Sequence, residues 1–432
     1  MATPKEEDLI YDWNTHQGEI ALSHKRVELD DETLRDGLQN PSVTDPPVEK
    51  KIELLRLMAA LGIDAVNLGL PGAGPRARAD MTRMAMVIRD EKLGLFPNAA
   101  VRTVKADITP LIEIVQATGL PIEAAAFIGS SPIRQYAEDW TIDHILKLSV
   151  EAIQYAVENG LPVMYVTEDT TRSRPEDIRR LYTAAIEAGA KRICIADTTG
   201  HAMPYGVRNL VAFVRQVVAD TGEDVKIDWH GHSDRGLSII NALAAMKAGA
   251  DRVHATGLGI GERVGNTPMD LLLVNMKLDG LTDRDLTRLA EYTRMVSDIC
   301  EVPLWHNYPV FGRDAFRTAT GVHAAAIIKA KNKGQDWLAD RVYSGVPAGT
   351  FGMKQKIEIG FMSGVSNIVY WLNENGIEPE KKLVDEIFTA AKQHSRLLTD
   401  DDVWNIVKYY RFEKGGPVTD TLDEWKQRIK RP

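Results

Sequence analysis

Lys226-Ile-Asp-Trp-His-Gly-His-Ser-Asp-Arg-Gly-Leu237 shows how this chain is organised. The run Lys226–Trp229 reads as a strand and ends in two histidines, and Ser233-Asp-Arg-Gly-Leu237 opens an amphipathic stretch reaching Ala248. Gly249 then supplies the left-handed residue that ends a helix, and a second strand candidate follows at Arg252–Ala255. The same cadence recurs upstream, with strand candidates at Val27–Leu29, Ala65–Leu68, Ala99–Val104, Pro121–Ile128, Val163–Val166 and Arg192–Ile195. Helical patterns at Val48–Leu61, Asp143–Asn159 and Pro175–Ala188 lie between them. Eight strands alternating with helices predict a parallel α/β fold, and eight is the number that closes a (β/α)8 TIM barrel. No Gly-x-Gly-x-x-Gly follows the first strand, which argues against a doubly wound open sheet.

In such a barrel the chemistry gathers at the carboxyl ends of the strands. The polar clusters fall there: Asp31–Asp36, Gly129–Pro132, Thr167–Thr171, Ala196–Thr199, His230–His232 and Thr256–Gly259. The expected organisation is an N-terminal extension over residues 1–25, the barrel over 26–285, and a mostly helical appendage over 286–432. The appendage includes a turn-rich segment near Gly345–Gly352.

Composition narrows the class. The 432 residues are 44% hydrophobic and 26% charged, with a formal net charge of −9 and both signs interleaved. This is a globular composition with no basic face for nucleic acid and no polybasic membrane tail. No run approaches the roughly 20 apolar residues that span a bilayer. The two cysteines, Cys194 and Cys300, are far apart, and Cys194 lies in the apolar run Arg192-Ile-Cys-Ile-Ala196. A reducing, cytoplasmic setting is expected, without a disulfide framework or a membrane partner.

His230-Gly-His232 is the strongest chemical signal. Positions i and i+2 of an extended strand project to one face, so both imidazoles can meet one ion. With Asp36 they make a two-histidine, one-carboxylate set that leaves positions open for substrate oxygens. The pair could instead be unrelated polar residues before a turn. Its place at a strand end, ahead of a helix start, favours the shared ion. Arg35 beside Asp36 can neutralise negative charge developing on a nearby carbonyl.

Asp31-Glu-Thr-Leu-Arg-Asp-Gly-Leu-Gln39, His230-Gly-His232 and Gly259-Ile-Gly-Glu-Arg-Val-Gly-Asn266 together resemble the signatures of the DRE-TIM metallolyase superfamily. The last is similar to the motif of its Claisen-condensing branch, the 2-isopropylmalate and homocitrate synthases. Gly312–His323 and Gly360–Asn367 resemble motifs those synthases carry after the barrel, so the likeness runs from about residue 27 to 410. The lyase branch, typified by hydroxymethylglutaryl-CoA lyase, carries a cysteine in the Gly-rich loop, where this chain has none.

The resemblance implies a divalent ion (Mg, Mn or Zn) on Asp36, His230 and His232, with Asn266 as a fourth ligand. It implies that Arg35 polarises a 2-oxo acid carbonyl, that Thr198 and Gln39 bind substrate, and that Glu168 helps activate an acyl-CoA, most simply acetyl-CoA. It assigns His323 to the active site of a partner subunit in a homodimer with shared sites, and adds Tyr343. The implied reaction, of the kind used in amino-acid biosynthesis, forms an enolate from the acyl-CoA and adds it to the oxo-acid carbonyl. Thioester hydrolysis then yields a 2-hydroxy-2-alkyl dicarboxylic acid and CoA. Three positions depart from the pattern near where the oxo-acid side chain should sit: Asn67 replaces an acid, Leu38 replaces Glu, and Ala125 replaces a polar residue. The chain also stops where leucine-regulated relatives begin a regulatory domain, so feedback through that domain is not expected. The alternatives on this scaffold are a retro-Claisen acyl-CoA lyase, a biotin-dependent carboxyltransferase, or a non-catalytic metal-binding relative. A carboxyltransferase is disfavoured because no lysine stands at a convincing strand end.

Overall fold

The eight apolar runs become strands β1 (Glu28–Asp31), β2 (Ala65–Asn67), β3 (Phe96–Arg102), β4 (Glu123–Gly129), β5 (Val163–Glu168), β6 (Arg192–Asp197), β7 (Lys226–Gly231) and β8 (Arg252–Ala255). The computed structural model describes residues 4–12, 14 and 26–414. Each strand pairs in parallel with the next, and β8 closes on β1 with Asp30 opposite His254, making the closed barrel expected from the sequence. Of the expected N-terminal extension, residues 1–3, 13 and 15–25 lie outside the described residues.

Side chains pointing away from the barrel axis, such as Ile193, Ile195, Ile227 and Trp229, are fully buried. The helices contribute equally buried faces, including Leu181 in Pro175–Glu187 and Val207, Val211 and Val214 in Pro204–Thr221. Gly249 ends the helix Ser238–Ala248 at φ 102°, a conformation that penalises a side chain. Inside the barrel, Ala125, Met164 and Cys194 pack as an apolar cluster. Both cysteines are free and buried.

The chain divides into two compact units, Asn14–Pro303 and Met1–Trp13 with Leu304–Pro432. The barrel unit includes the helix Leu289–Cys300. In the second unit the helices Val365–Glu374, Lys381–Gln393 and Asp400–Glu413 share a core of Ile368, Leu372, Ile387 and Trp404. Two short parallel strands there, β9 (Arg317–Thr318) and β10 (Lys356–Ile357), flank the helix Gly321–Asn332 in sequence. Arg341 ion-pairs with Glu6, tying the helix Glu6–Leu9 to this unit. Among the described residues, no helix is long and apolar enough to cross a membrane.

Candidate active site

β7 carries His230 to the barrel mouth, and His232 follows one residue past the strand end. Their imidazoles turn toward each other, with Nε2 to Nε2 at 3.1 Å. Asp36, from the turn after β1, brings Oδ2 to 3.8 Å from His230 Nε2 and 3.9 Å from His232 Nε2. Asn266 donates from Nδ2 to Asp36 Oδ1 at 2.8 Å. Gly261 leaves room for this bond: a Cβ there would lie 2.1 Å from Asn266 Nδ2 and 2.7 Å from Asp36 Oδ1.

The electrostatics favour a cation at this point. Burial works against ionising Asp36, but Arg35, His230 and His232 outweigh it and hold the carboxyl below its usual range. Burial, reinforced by His230, pushes His232 down to about 4, leaving its ring neutral near pH 7. Two imidazole nitrogens and a carboxylate oxygen thus converge within 4.8 Å of one another. His232 Nδ1 and Asn266 Oδ1 are buried without hydrogen-bond partners. A nitrogen, nitrogen and carboxylate donor set with open positions fits a divalent metal ion. Glu32, His230 and His254 form a second group of the same geometric kind. There, burial opposes charge on His254, but the carboxylates of Glu32, Asp228 and Asp30 prevail and lift it to about 10. A protonated imidazolium offers no lone pair, so Asp36, His230 and His232 are the set that fits.

Arg35 bridges two acids, with one guanidinium nitrogen 2.7 Å from Asp36 Oδ2 and another 2.5 Å from Glu32 Oε1. Glu168 ends β5. Burial raises its pKa against the opposing pull of Arg134 and Arg35. Thr198 Oγ1 accepts the Asp169 backbone N–H at 2.8 Å. Gln39 is exposed, and its backbone N–H donates to the Asp36 carbonyl at 2.9 Å. His323 and Tyr343 belong to the second unit, where their rings stack at 4.1 Å. Of the three departures, Asn67 is fully buried with its amide 3.4 Å from Glu32, Ala125 lies in the apolar cluster, and Leu38 is half-buried.

Three residues around the site were given no role by sequence reasoning: Glu32, His254 and Tyr292. A signal for two of them was present. Polar residues two apart on β7 (Asp228, His230), β8 (Arg252, His254) and at the end of β1 (Asp30, Glu32) must share the barrel interior. Tyr292 had no such signal, because it comes from a helix beyond the eightfold repeat.

Fold and site define a closed (β/α)8 barrel with a His-x-His and aspartate cluster at the carboxyl ends of its strands. The chain belongs to the HMGL-like family, whose model matches residues 26–296. It is 32% identical to a homocitrate synthase AksA of Methanopyrus kandleri, over 84% of this chain and 86% of that protein. It is also 32% identical to the homocitrate synthase AksA of Methanocaldococcus jannaschii, over 90% and 91%. A 2-isopropylmalate synthase of M. jannaschii is 31% identical over 89% of this chain and 71% of that one. Among solved structures, hydroxymethylglutaryl-CoA lyase from Pseudomonas aeruginosa superposes with a TM-score of 0.54 at 20% identity. It covers 67% of this chain and 96% of that one, a likeness of fold.

Proposed function

We propose that this chain is an acyl-CoA:2-oxo acid C-acyltransferase that performs a Claisen condensation with acetyl-CoA. The observation carrying this reading is the convergence of His230, His232 and Asp36 at the barrel mouth, with Arg35 bound directly to Asp36. The names of the relatives, homocitrate and 2-isopropylmalate synthases, support the same chemistry.

In this reading Asp36, His230 and His232 hold a divalent cation, with Asn266 beside them. When bound, the ion supplies Lewis-acid polarisation of the 2-oxo acid carbonyl. Arg35 presents its planar fork to the carbonyl oxygen and stabilises the alkoxide that forms there. Thr198 and Gln39 hold the substrate, with Thr198 donating its hydroxyl hydrogen to the carboxylate. Glu168 takes a proton from the acetyl methyl group, a task favoured by its raised pKa. His323 is the second candidate base, supplied with Tyr343 by the other subunit of a homodimer. The exposure of Val322 and Tyr343, at 70% and 50%, suits that docking role. Both cysteines are buried, which disfavours a lyase needing a thiol in the mouth loop.

The test is thiol release from acetyl-CoA by purified protein with Mg, Mn or Zn, across 2-oxo acids with short, branched and carboxylated side chains. Release that needs both an oxo acid and a metal supports the proposal. Cleavage of 3-hydroxyacyl-CoA with no condensation of any oxo acid overturns it in favour of the lyase.

A further inference from the structure

Glu32 is buried one residue beyond β1, its side chain only 3% exposed, and the reaction as described above does not use it. Its two oxygens face different parts of the site. Oε1 meets Arg35 at 2.5 Å, His254 Nδ1 at 3.4 Å and the Asn67 amide at 3.4 Å. Oε2 lies 2.7 Å from His230 Nδ1, on the side of that ring facing away from His232 and Asp36. Below it, His254 Nε2 lies 2.9 Å from Asp228 Oδ2. Arg252 and Arg192 hold Asp228 at 2.6 and 2.8 Å, and Arg252 also holds Glu123 at 2.7 Å. A column of alternating charge therefore runs along the barrel interior and ends on Glu32.

Stability alone is a poor reason for such a column. Barrel interiors are ordinarily filled by branched apolar side chains, and buried ion pairs often contribute no more than the hydrophobic groups that could replace them. The column does, however, fix one carboxylate against one face of one imidazole. An imidazole that offers Nδ1–H to a carboxylate has its lone pair on Nε2, with its ring orientation set.

We propose that Glu32 is a positioning residue that fixes the Nδ1–H tautomer and ring orientation of His230, presenting Nε2 to a divalent cation, while its other oxygen aims Arg35. His254 and Asn67 hold Glu32 in place from below and from β2. The guanidinium of Arg35, 2.5 Å from Oε1, lies against the buried carboxylate and offers it a positive partner. The inference rests on the reading of Asp36, His230 and His232 as a cation site.

The experiment measures Mn2+ binding to the full chain by loss of the free-ion EPR signal, for wild type, His230→Ala, Glu32→Gln and Glu32→Asp. The Co2+ absorption bands and the thermal midpoint of the metal-free protein are recorded in parallel. Wild type should bind, His230→Ala should not, and Glu32→Gln should bind about 10- to 100-fold more weakly with shifted Co2+ bands. If wild type and His230→Ala bind equally or not at all, the ligand set itself is wrong. If wild type binds, His230→Ala fails and Glu32→Gln matches wild type in affinity and spectrum, only the role of Glu32 is overturned. Should Glu32→Gln fail to fold, Glu32→Asp decides, because it keeps the charge but withdraws it by one methylene. Weakened binding with a near-normal thermal midpoint supports positioning, and wild-type affinity refutes it.

Discussion

The Tyr292 hydroxyl donates to Asp31 Oδ2 at 2.5 Å, so a helix beyond the eighth repeat is fastened to the first strand. Asp31 is fully buried, and burial lifts its pKa to about 6 despite hydrogen bonds from Thr33 and Tyr292. A carboxyl raised in the folded state gives stability that is fully present below its unfolded pKa and is lost as pH rises through the folded value. Removing the tyrosine donor raises the folded pKa further and extends that loss upward. Tyr292→Phe should therefore cost about 1–3 kcal/mol at pH 8 and distinctly less at pH 4. Thermal unfolding across that range checks this, and a pH-independent difference would count against it.

Gly261 permits the contact between Asn266 and Asp36 at φ 154°. Gly261→Ala should displace Asn266 or Asp36 and lower metal affinity at least tenfold, while far-UV circular dichroism stays unchanged. Metal titration beside the spectrum separates a damaged site from a damaged barrel. Unchanged affinity would show that the loop relaxes without cost to the ligands.

Arg35→Lys should behave as a drastic change. The guanidinium meets Glu32 and Asp36 through different nitrogens at once, a geometry a single ammonium cannot reproduce. Turnover should fall by about 10²–10³-fold, chiefly in kcat, if Arg35 acts on the developing alkoxide. Steady-state kinetics at saturating metal measure this. A lysine variant with near-normal kcat and kcat/KM would remove Arg35 from the chemistry.

The proposed sharing of active sites between subunits predicts complementation. His323→Ala and Asp36→Ala subunits should each be inactive alone, yet mixing them should restore part of the activity. A mixed two-fold dimer then holds one site with both lesions and one with neither. No recovery after subunit exchange, verified by mass, would mean that His323 acts within its own subunit or not at all.

The barrel was legible because alternation between strand and helix is a local property, written in the period of apolar residues within each segment. His230-Gly-His232 was legible for the same reason: two residues on one strand face need only a strand. The ends of β2 and β3 were read too long, and those of several other strands too short. β5, β6 and β7 run on to Glu168, Asp197 and Gly231, because ladder hydrogen bonds continue into polar residues that an apolar pattern excludes. What the sequence by itself determined was the repeat, its number and the residues at each strand end. Only the tertiary structure decided which of them meet. Pairing β8 with β1 places His254 opposite Asp30 and brings Glu32 and Asp36 to His230. That closure also assembles the charge column beneath Glu32, since desolvated groups far apart in the chain must neutralise one another wherever the barrel buries them.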